Sequence, residues 1–537
     1  MLARCSSATL RGLEAQEVMV EVDMGPGLPG VQLVGLADAA VQEARERVRA
    51  ALRHSGLRVP QTRVVVNLSP ADLPKAGPGF DLPIALGLLA ASGQLTPERL
   101  DGVWSLAELG LDGRLRAVRG VLAVAMAARQ AGARALLVPE ANAAEAALVD
   151  GLAVWPAQDL AEALAALVDP GRRRQAPAPL RSAAAPAEAE ADLADLQGQR
   201  HGRRALEIAA AGGHHLLLVG PQGSGKTMLA RRLAGLLPPL AHAEALELTR
   251  LHSVAGLLPE GSGLIRRRPF RSPHHSCSGP ALIGGGSPPR PGELSLAHRG
   301  VLFLDELAEF RRSLLDQLRQ PLEEGDVWIS RARHSCRFPC RVTLVAATNP
   351  CPCGWSTEPD QACRCGEGER RRYWARLSGP LLDRLDLQVV LRRAGSGPLA
   401  GWLGGGGAGD SVADAPPAES SRQVRRRVLA ARRRMADRNP GGVVNGELEP
   451  GQLQGVVALD GPALALWEAC AAQRRLTTRA ALKLVRVART IADLEGSTAV
   501  GAEAIAEALT YRSFDSQSDP GPCNAGLGSP GQAESGR

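Results

Sequence analysis

A glycine-rich segment near the middle of the chain constrains the fold more than any other feature of the sequence. The apolar run His214–Val219 leads into Gly220-Pro-Gln-Gly-Ser-Gly-Lys-Thr227, and the residues from Met228 to Leu237 have a helical pattern. A Gly-x-x-x-x-Gly-Lys-Thr sequence between a strand and a helix is the P-loop arrangement. A chance match in a glycine-rich chain is the alternative, but it does not account for the flanking strand and helix. The segment predicts an α/β core that binds a nucleoside triphosphate.

The residue types of this segment suit the chemistry of a triphosphate. Glycine lets backbone N–H groups turn inward where a Cβ would obstruct them, and the following helix directs its positive end at the phosphates. Lys226 supplies a compact cation to the β- and γ-phosphates, and the Thr227 hydroxyl is a ligand for Mg²⁺. The residues predicted to hold ATP are Gly220, Gly223, Ser224, Gly225, Lys226 and Thr227.

Lysine usage supports this interpretation. The chain has 63 lysines and arginines together, but its only lysines are Lys75, Lys226 and Lys483. Lysine persists at position 226, where a point charge is needed and a planar guanidinium fits poorly. The net charge of +7 is compatible with a polyanionic partner but does not identify one. Aromatic residues make up only 3% of the chain, so a platform for stacking single-stranded bases is poorly supplied.

Bulk features predict a cytoplasmic protein that does not enter a membrane. No apolar run reaches about 18 residues, and the N-terminus lacks the apolar segment of a secretory signal. The chain has ten cysteines, four of them close together. This usage fits metal binding in a reducing compartment better than a disulfide framework.

Composition and hydrophobic pattern divide the chain into several parts, and its length of 537 residues suits about three domains. The predicted parts are an α/β domain over residues 1–168, a polar linker over 169–192, the P-loop core over 193–394, a flexible Gly/Pro-rich connection over 395–420, a helical region over 421–514 and a disordered tail over 515–537. In the helical region, the arginine-dense segments 425–427 and 432–434 are interpreted as a solvated face.

Two further predicted strands end in polar groups that suit a hydrolytic site. Asp305 and Glu306 follow the buried run Val301–Leu304, and Asn349 follows the run Val342–Thr348. In P-loop ATPases the first acid holds Mg²⁺ and the second orients the attacking water. An acid-rich helix start and an ordinary Asn-Pro turn are the alternatives. Because parallel sheets bind ligands at the carboxyl ends of their strands, we expect Asn349 to contact the γ-phosphate or the water.

Two Cys-x-Cys pairs follow the third of these strands. Four thiolates at this spacing can close a tetrahedral zinc site. The segment between the pairs has too little apolar material for a core, so a bound metal would give it order. Surface thiols are the alternative, and Cys336 and Cys340 are substitute ligands without paired spacing. The predicted zinc ligands are Cys351, Cys353, Cys363 and Cys365.

Arginines outside the P-loop are candidates for contact with phosphate. Arg384 lies among apolar residues before another predicted strand. ATPase rings supply such an arginine to the γ-phosphate of a neighbouring subunit, where it stabilises transition-state charge. An ion pair with Asp383 or Asp386 is the alternative. The predicted helix over 478–495 carries three further candidates, and the sequence does not choose among them: Arg479, Arg486 and Arg489.

Longer segments spread over the chain carry a family resemblance. They are Arg204-Ala-Leu-Glu-Ile-Ala-Ala-Ala, Arg268-Pro-Phe-Arg-Ser-Pro-His-His275, Pro291-Gly-Glu-Leu-Ser-Leu-Ala-His298, Asn349-Pro-Cys-Pro-Cys-Gly354 and Ala488-Arg-Thr-Ile-Ala-Asp-Leu494. Together with the P-loop, they resemble the ComM/YifB group of magnesium-chelatase-like AAA+ ATPases, from about Val18 to Phe514. The chain departs from the group at Gln222, where a second proline is usual, and at Thr348, where methionine is common.

The resemblance implies a Lon-protease-like N-terminal domain, an AAA+ core and a helical lid, assembled as a hexameric ring. It also implies ATP-driven branch migration of DNA during recombination in natural transformation, with recombination proteins as partners. A motor subunit that drives Mg²⁺ into a porphyrin is the alternative function, and the full set of hydrolytic residues argues against a non-motor scaffold. Carried over by motif, the Walker residues are Lys226, Thr227, Asp305 and Glu306, sensor 1 is Asn349, the arginine finger is Arg384 and sensor 2 is Arg479.

The N-terminal domain lacks the catalytic pair of the protease that it resembles. By that resemblance, Gly79 stands at the position of the nucleophilic serine and Leu122 at that of the lysine. Ser–Lys chemistry needs a hydroxyl and a neutral amine, and Lys75 nearby has no matching serine. We expect a structural or partner-binding module without proteolytic activity.

Arg331 and Arg333, in the hairpin-like stretch Asp326–Phe338, are the candidate DNA contacts, and the segment 271–276 is a second candidate loop. Contacts of this kind to phosphate are independent of sequence and weaken with salt. The alternative is that these arginines only pair with nearby acids, which are Glu323, Glu324 and Asp326.

Overall fold

The structure of the protein is a computed structural model that describes residues 2–176, 191–196, 198–331, 334–377, 379–393 and 419–512. Most of the predicted linker 169–192, most of the connection 395–420 and all of the predicted tail 515–537 lie outside these ranges. Within the same ranges, no helix is both long enough and apolar enough to cross a membrane.

The N-terminal part is an α/β unit around one mixed sheet. Its strands are β1 (Leu2–Arg11), β2 (Glu14–Gly25), β3 (Gly30–Val34), β4 (Arg63–Ser69), β5 (Val103–Ser105), β6 (Glu108–Leu109), β7 (Leu115–Arg116), β8 (Ala135–Pro139) and β9 (Ala153–Ala157). Its helices are α1 (Ala39–His54), α2 (Asp81–Ala91), α3 (Val121–Gln130), α4 (Glu140–Ala146) and α5 (Leu160–Val168). The sheet has the order β3-β4-β2-β1-β5-β8-β9. Val18, Val20 and Val22 are fully buried on one face of β2, with the two-residue period of a half-buried strand.

Gly79 and Leu122, the positions that correspond to the serine and the lysine of the protease, are both buried in this unit. A Cβ added to Gly79 would lie 2.7 Å from Leu106 Cδ1, so a serine does not fit there unless Leu106 shifts. The backbone N–H of Leu122 donates to Glu145 Oε1 at 2.8 Å. Glu145 also accepts a hydrogen bond from the hydroxyl of Ser253 in the P-loop core. The region therefore serves packing within the unit and attachment to the core.

The P-loop core contains one parallel sheet covered by helices. Its strands are β10 (Leu216–Val219), β11 (Phe270–Arg271), β12 (Gly284–Gly285), β13 (Arg290–Pro291), β14 (Val301–Leu304), β15 (Asp326–Arg331), β16 (His334–Pro339), β17 (Thr343–Thr348) and β18 (Leu387–Val390). Its helices are α6 (Arg200–Gly212), α7 (Lys226–Leu236), α8 (His242–Ala255), α9 (Gly279–Leu282), α10 (Glu293–Leu296), α11 (Arg312–Gln317), α12 (Arg319–Glu324), α13 (Glu367–Arg376) and α14 (Gly379–Leu382).

The strand order of the parallel sheet is β11-β14-β17-β10-β18. Strands β10, β14 and β17 are buried along their whole length, as expected for parallel strands covered on both faces. Strands β15 and β16 pair antiparallel as a separate hairpin. This order places the carboxyl ends of β14, β17 and β10 next to one another.

The C-terminal part of the described chain is helical. It consists of α15 (Ser421–Arg438), α16 (Pro450–Val456), α17 (Gly461–Gln473), α18 (Thr478–Glu495) and α19 (Ala502–Thr510). On α15, Val424, Val428, Ala431 and Met435 recur at helical spacing and are buried in one apolar cluster with core residues such as Leu229. The prediction of an α/β fold with a parallel-sheet core and a helical C-terminal region is confirmed.

The arginine-dense part of α15 is a solvated face only in part. Arg426, Arg433 and Arg434 are exposed as expected, whereas Arg425, Arg427 and Arg432 bind groups of the core. Arg425 Nε donates to Gly235 O at 2.5 Å, and Arg432 Nη2 donates to Ala210 O at 2.7 Å. Both carbonyls lie near the C-terminal ends of core helices, where backbone oxygens lack intrahelical partners. The guanidinium groups donate hydrogen bonds to these carbonyl oxygens and so attach the helical region to the core.

A buried ion pair also joins the helical region to the sheet. Lys483 of α18 lies 2.8 Å from Asp386, directly before β18, and the two side chains are only 7% and 11% exposed. Burial opposes ionisation of Asp386, but Lys483 and the neighbouring His214 and His215 hold its pKa well below the usual value. The backbone N–H of His215 also donates to Asp386 Oδ2 at 3.1 Å.

We predict that Lys483→Met lowers the free energy of unfolding by about 3–5 kcal/mol, because the Asp386 carboxylate is left buried without its cation. The double variant Lys483→Met/Asp386→Asn should recover most of that loss, since it removes both charges and keeps an acceptor for His215. Urea unfolding followed by circular dichroism measures both values. A loss below about 1 kcal/mol in the single variant, the range of an exposed pair, would contradict the account.

Candidate active site

The conformation of the loop between β10 and α7 requires glycine. Gly223 and Gly225 have φ angles of +78° and +87°, in the left-handed region that favours this residue. A Cβ on Gly220 would lie 2.6 Å from Leu391 O. Helix α7 begins at Lys226, two residues before the start expected from the sequence. The loop therefore ends directly at the helix N-terminus, as phosphate binding requires.

Lys226 and Thr227 contact the polar ends of two neighbouring strands. Lys226 Nζ donates to Asn349 Oδ1 at 3.1 Å and to the loop carbonyl of Gly220 at 2.6 Å. Thr227 Oγ1 donates to Asp305 Oδ2 at 2.9 Å. Burial lowers the pKa of Lys226, while the Asp305 carboxylate opposes that effect. The end of β17, the end of β14 and the P-loop thus meet at one edge of the sheet.

The second acid of the pair contacts a histidine whose role the sequence did not indicate. His275 Nδ1 lies 3.3 Å from Glu306 Oε2, and the His275 ring lies 4.1 Å from that of His274 between centroids. Glu306 has a φ of +51°, and its N–H donates to Asp305 Oδ1 at 2.9 Å. His275 was predicted only as part of a loop. The clue to the contact between His275 and Glu306 is that His275 follows β11, which pairs with β14. Because β11 has only two residues, the sequence gives no recognisable strand pattern there.

We call the residues at this sheet edge the hydrolytic cluster: Lys226, Thr227, Asp305, Glu306 and Asn349. Of the other loop residues, Ser224 is buried, and its carbonyl accepts a hydrogen bond from Gln199 Nε2 at 3.1 Å. The carboxylates of the cluster can bind a cation, and Lys226 at the helix N-terminus can bind phosphate. Together these groups are the donors and acceptors that Mg-ATP needs.

Two arginines meet at a different place in the core. Arg384 Nη2 lies 2.8 Å from Glu323 Oε1 on α12, and Arg479 pairs with the same oxygen. Glu323 is an ion-pair partner of Arg384 that the sequence did not indicate, while Asp386 pairs with Lys483 instead. We call Arg384 and Arg479 the arginine pair. Of the three candidate arginines on α18, Arg479 is the one that joins Arg384.

The four predicted zinc ligands form one cluster of thiols, which we call the cysteine cluster: Cys351, Cys353, Cys363 and Cys365. Their Sγ atoms all lie within 4.8 Å of one another. The Cys351–Cys363 and Cys353–Cys363 Sγ distances are 3.7 and 3.6 Å. A tetrahedral site with Zn–S bonds of about 2.3 Å has S–S edges of about 3.8 Å. The donor set and its dimensions therefore fit zinc.

The thiols of the cysteine cluster differ in acidity, because burial raises the pKa of Cys363 and raises that of Cys365 to about 12. Burial raises the pKa of the Cys353 thiol, but backbone N–H donors and neighbouring thiols outweigh that effect and lower the pKa to about 6. Cys336 and Cys340, the substitute ligands considered from the sequence, are buried at the hairpin β15–β16. The Cys340 thiol there donates to Pro321 O at 3.3 Å.

The hairpin β15–β16 carries the candidate DNA contacts, and its tip is only partly described. Arg331 is the last residue of β15, but its side chain and the whole of Arg333 lie outside the described residues. Trp328 on β15 is 59% exposed. Its position was not singled out in the sequence, because a low overall aromatic content says nothing about where one aromatic lies.

Charged groups near the two candidate loops already have partners. Arg271 donates to both oxygens of the Glu293 carboxylate at 2.7 Å. Asp326, one of the acids considered as a partner of the hairpin arginines, lies 2.5 Å from Arg337. The second acid considered, Glu323, holds the arginine pair.

Comparison with known proteins gives matches over most of the chain. The family Magnesium chelatase, subunit ChlI matches residues 192–398, Subunit ChlI of Mg-chelatase matches 20–142, and the ChlI C-terminal family matches 418–512. The chain is 45% identical to an uncharacterized protein of Mycobacterium tuberculosis, covering 95% of this chain and 98% of that one. It is 43% identical to competence protein ComM of Haemophilus influenzae, over 96% and 98%. Identity to YifB of Escherichia coli is 42%, over 94% and 96%.

The P-loop, the acid pair at the end of β14 and the helical region beyond the sheet define an AAA+-type nucleotide-binding protein. The chain belongs to the ComM/YifB family of magnesium-chelatase-like AAA+ proteins. The family implies ATP and Mg²⁺ as ligands, and the hydrolytic cluster supplies side chains that fit both.

We predict that Lys226→Ala weakens binding of Mg-ATP by at least about tenfold, or about 1.4 kcal/mol, because it removes the cation that faces the phosphates. Arg231→Ala, on an exposed position of the same helix, should leave the affinity within about twofold. Isothermal titration calorimetry with the full chain measures both. Equal affinities of Lys226→Ala and the wild type would contradict the assignment.

Proposed function

We propose that the protein is an ATP-hydrolysing ring motor that acts on DNA. The observation that carries this proposal is that the residues for Mg-ATP and the two candidate arginines have separate sets of partners in one chain. The hydrolytic cluster lies at one edge of the sheet, whereas Arg384 and Arg479 meet at Glu323 on α12. An arginine supplied by an adjacent subunit is a recurring device for stabilising charge on a transferred phosphoryl group. Such a site is complete only when copies of the chain assemble, and we propose a hexamer.

The members of the hydrolytic cluster have distinct roles in this proposal. Thr227 and Asp305 hold Mg²⁺, which when bound neutralises negative charge on the phosphates. Lys226 exchanges its bond to the loop carbonyl for the β- and γ-phosphate oxygens. Glu306 orients and polarises the attacking water, and Asn349 fixes the position of the γ-phosphate or of that water.

Arg384 provides the contribution of the neighbouring subunit, and Arg479 reaches phosphate from the helical region. Arg384 acts as the arginine finger, and Arg479 acts as sensor 2. Both side chains share one carboxylate oxygen of Glu323, so contact of either with phosphate requires a rearrangement of the shared pair. Arg479 is 50% exposed and Arg384 only 11%, so Arg479 leaves Glu323 at the smaller cost.

We propose DNA as the polymer that the ring moves along. The relative in Haemophilus influenzae is named a competence protein, and we infer branch migration of recombination intermediates in natural transformation, with recombination proteins as partners in the cytoplasm. The hairpin β15–β16, with exposed Trp328 and the arginines Arg331 and Arg333, is the proposed DNA contact. The N-terminal α/β unit is proposed as a Lon-like structural or partner-binding module.

A magnesium-chelatase motor subunit is the second candidate function, and the matches to chelatase families favour it. The two functions differ in what activates hydrolysis. A DNA motor hydrolyses ATP faster when DNA is present, whereas a chelatase subunit responds to its partner subunits and to a porphyrin. DNA-stimulated hydrolysis by the purified chain therefore separates them.

We further propose that the cysteine cluster holds one zinc ion per chain. Protein purified without added metal should contain about one equivalent of zinc, because four thiolates satisfy the coordination of the ion. Plasma mass spectrometry measures the content. Stoichiometric absence of zinc, together with free alkylation of Cys351 and Cys363, would refute the site.

The motor proposal is tested with a four-way DNA junction and a strand-exchange readout. We predict that the wild type moves the junction only with ATP and that Glu306→Gln binds ATP but loses junction movement by about a hundredfold or more, since the water is no longer polarised. Glu309→Gln, the same substitution at an exposed position three residues further along the chain, serves as the matched control with activity retained. Absence of DNA binding and of DNA-stimulated hydrolysis in the wild type would overturn the proposal.

A further inference from the structure

We propose that the cysteine cluster is a metal-dependent control of ATP hydrolysis, in which a thiolate-bound divalent ion of the zinc class fixes the position of Asn349 against the P-loop. The inference rests on the proposed hydrolytic function and adds a regulator of the same site. It requires that metal loss slows turnover while nucleotide binding persists. Three connections between the cysteine cluster and the active site carry it.

The first connection is through the chain itself. Asn349 Oδ1 accepts the hydrogen bond of Lys226 Nζ, and only Pro350 separates Asn349 from Cys351. Cys351 is completely buried, and Pro350 O accepts a 3.0 Å hydrogen bond from Trp374 Nε1 on α13. The proline also limits the backbone of the residue before it. A displacement of the Cys351 sulfur is therefore expected to move the Asn349 amide, with one residue between them.

The second connection is a packing contact with the P-loop. Gly354 closes a turn by donating its N–H to Cys351 O at 3.0 Å. Gly354 has a φ of +84°, and the Cβ that it lacks would lie 4.0 Å from Pro221 Cα. Pro221 O is one of the carbonyls that accept from Lys226 Nζ, at 2.9 Å. The turn of the cysteine cluster thus lies against the loop that carries the lysine.

The third connection runs from the loop between the cysteine pairs to the other side of the P-loop. Glu358 Oε1 accepts from the backbone N–H of Arg393 at 3.1 Å, and the Arg393 guanidinium lies 4.9 Å from the Trp355 ring centroid. Arg393 Nη2 is 3.8 Å from the position that a Cβ of Gly223 would take. The segment that the metal orders therefore reaches the P-loop directly at Pro221 and through Arg393 at Gly223.

The segment itself has a few polar contacts but little apolar burial to hold it in place. Among residues 351–366, all within the described chain, only Cys351 and Gly354 are buried. With so little apolar burial, the binding free energy of a metal supplies most of the order of such a segment. The parallel sheet and the P-loop do not share this dependence, because their strands are buried on both faces. Metal loss is therefore expected to release Asn349 and to leave the nucleotide-binding core folded.

The test compares full-length variants that change either the second cysteine pair or the Asn349 side chain. Cys363→Ser/Cys365→Ser removes two ligands and leaves the sequence of residues 349–351 unchanged. We expect zinc content to fall from about one to near zero, the Kd of a fluorescent ATP analogue with Mg²⁺ to change less than about threefold, and kcat to fall about tenfold or more. Cys470→Ser, at a partly buried thiol on α17 outside the cluster, is the matched control and should retain zinc and turnover.

A double-mutant cycle with Asn349→Ala identifies the route. If the metal acts through Asn349, Asn349→Ala alone keeps its zinc and loses kcat, and adding the two serines lowers kcat no further. Three results would each overturn the inference and leave the motor proposal intact. They are loss of zinc with unchanged kcat, a kcat of the combined variant that falls by the product of the two separate factors, and loss of nucleotide binding together with zinc. Absence of hydrolysis in the wild type would contradict both.

Discussion

The hydrogen bond from Lys226 Nζ to Asn349 Oδ1 joins the P-loop to the carboxyl end of β17, and the rest of the active site depends on the strand order that allows it. Strand β17 lies between β10, which leads into the P-loop, and β14, which ends at Asp305. Parallel strands in this order deliver three polar termini to one edge of the sheet. Residues more than a hundred positions apart, Lys226 and Asn349, thereby share one site.

The same sheet connects the site to the rest of the molecule. Asp386, directly before β18, forms a buried ion pair with Lys483 of the helical region, and arginines of α15 bind carbonyls at the ends of core helices. On the other side, the Glu145–Ser253 hydrogen bond attaches the N-terminal unit to α8. The helical region is therefore attached to the strand next to the P-loop, and the proposed ring motor would use this attachment to couple the nucleotide site to movement.

Local patterns were sufficient to predict the strand, loop and helix around the P-loop, the buried strands and the meeting of the four cysteines in one cluster. Each of these features is encoded within a few consecutive residues. Contacts between distant segments were not predictable in this way. The sharing of Glu323 by Arg384 and Arg479 depends on the docking of α18 against α12, and the contact of His275 with Glu306 depends on a strand of two residues. The core contacts of Arg425 and Arg432 were not predicted either, because a charge pattern does not reveal which backbone carbonyls lie beside it.

We propose above all that each active site is shared between two copies of the chain. This sharing is tested most directly by mixing equal amounts of Arg384→Ala and Glu306→Gln subunits, each inactive alone, and measuring ATP hydrolysis of the mixture. If Arg384 acts on the neighbouring subunit, random assembly restores roughly a quarter of the wild-type rate, since one interface in four combines an intact glutamate with an intact arginine. A mixture that stays inactive, or full activity of Arg384→Ala alone, would contradict the shared site.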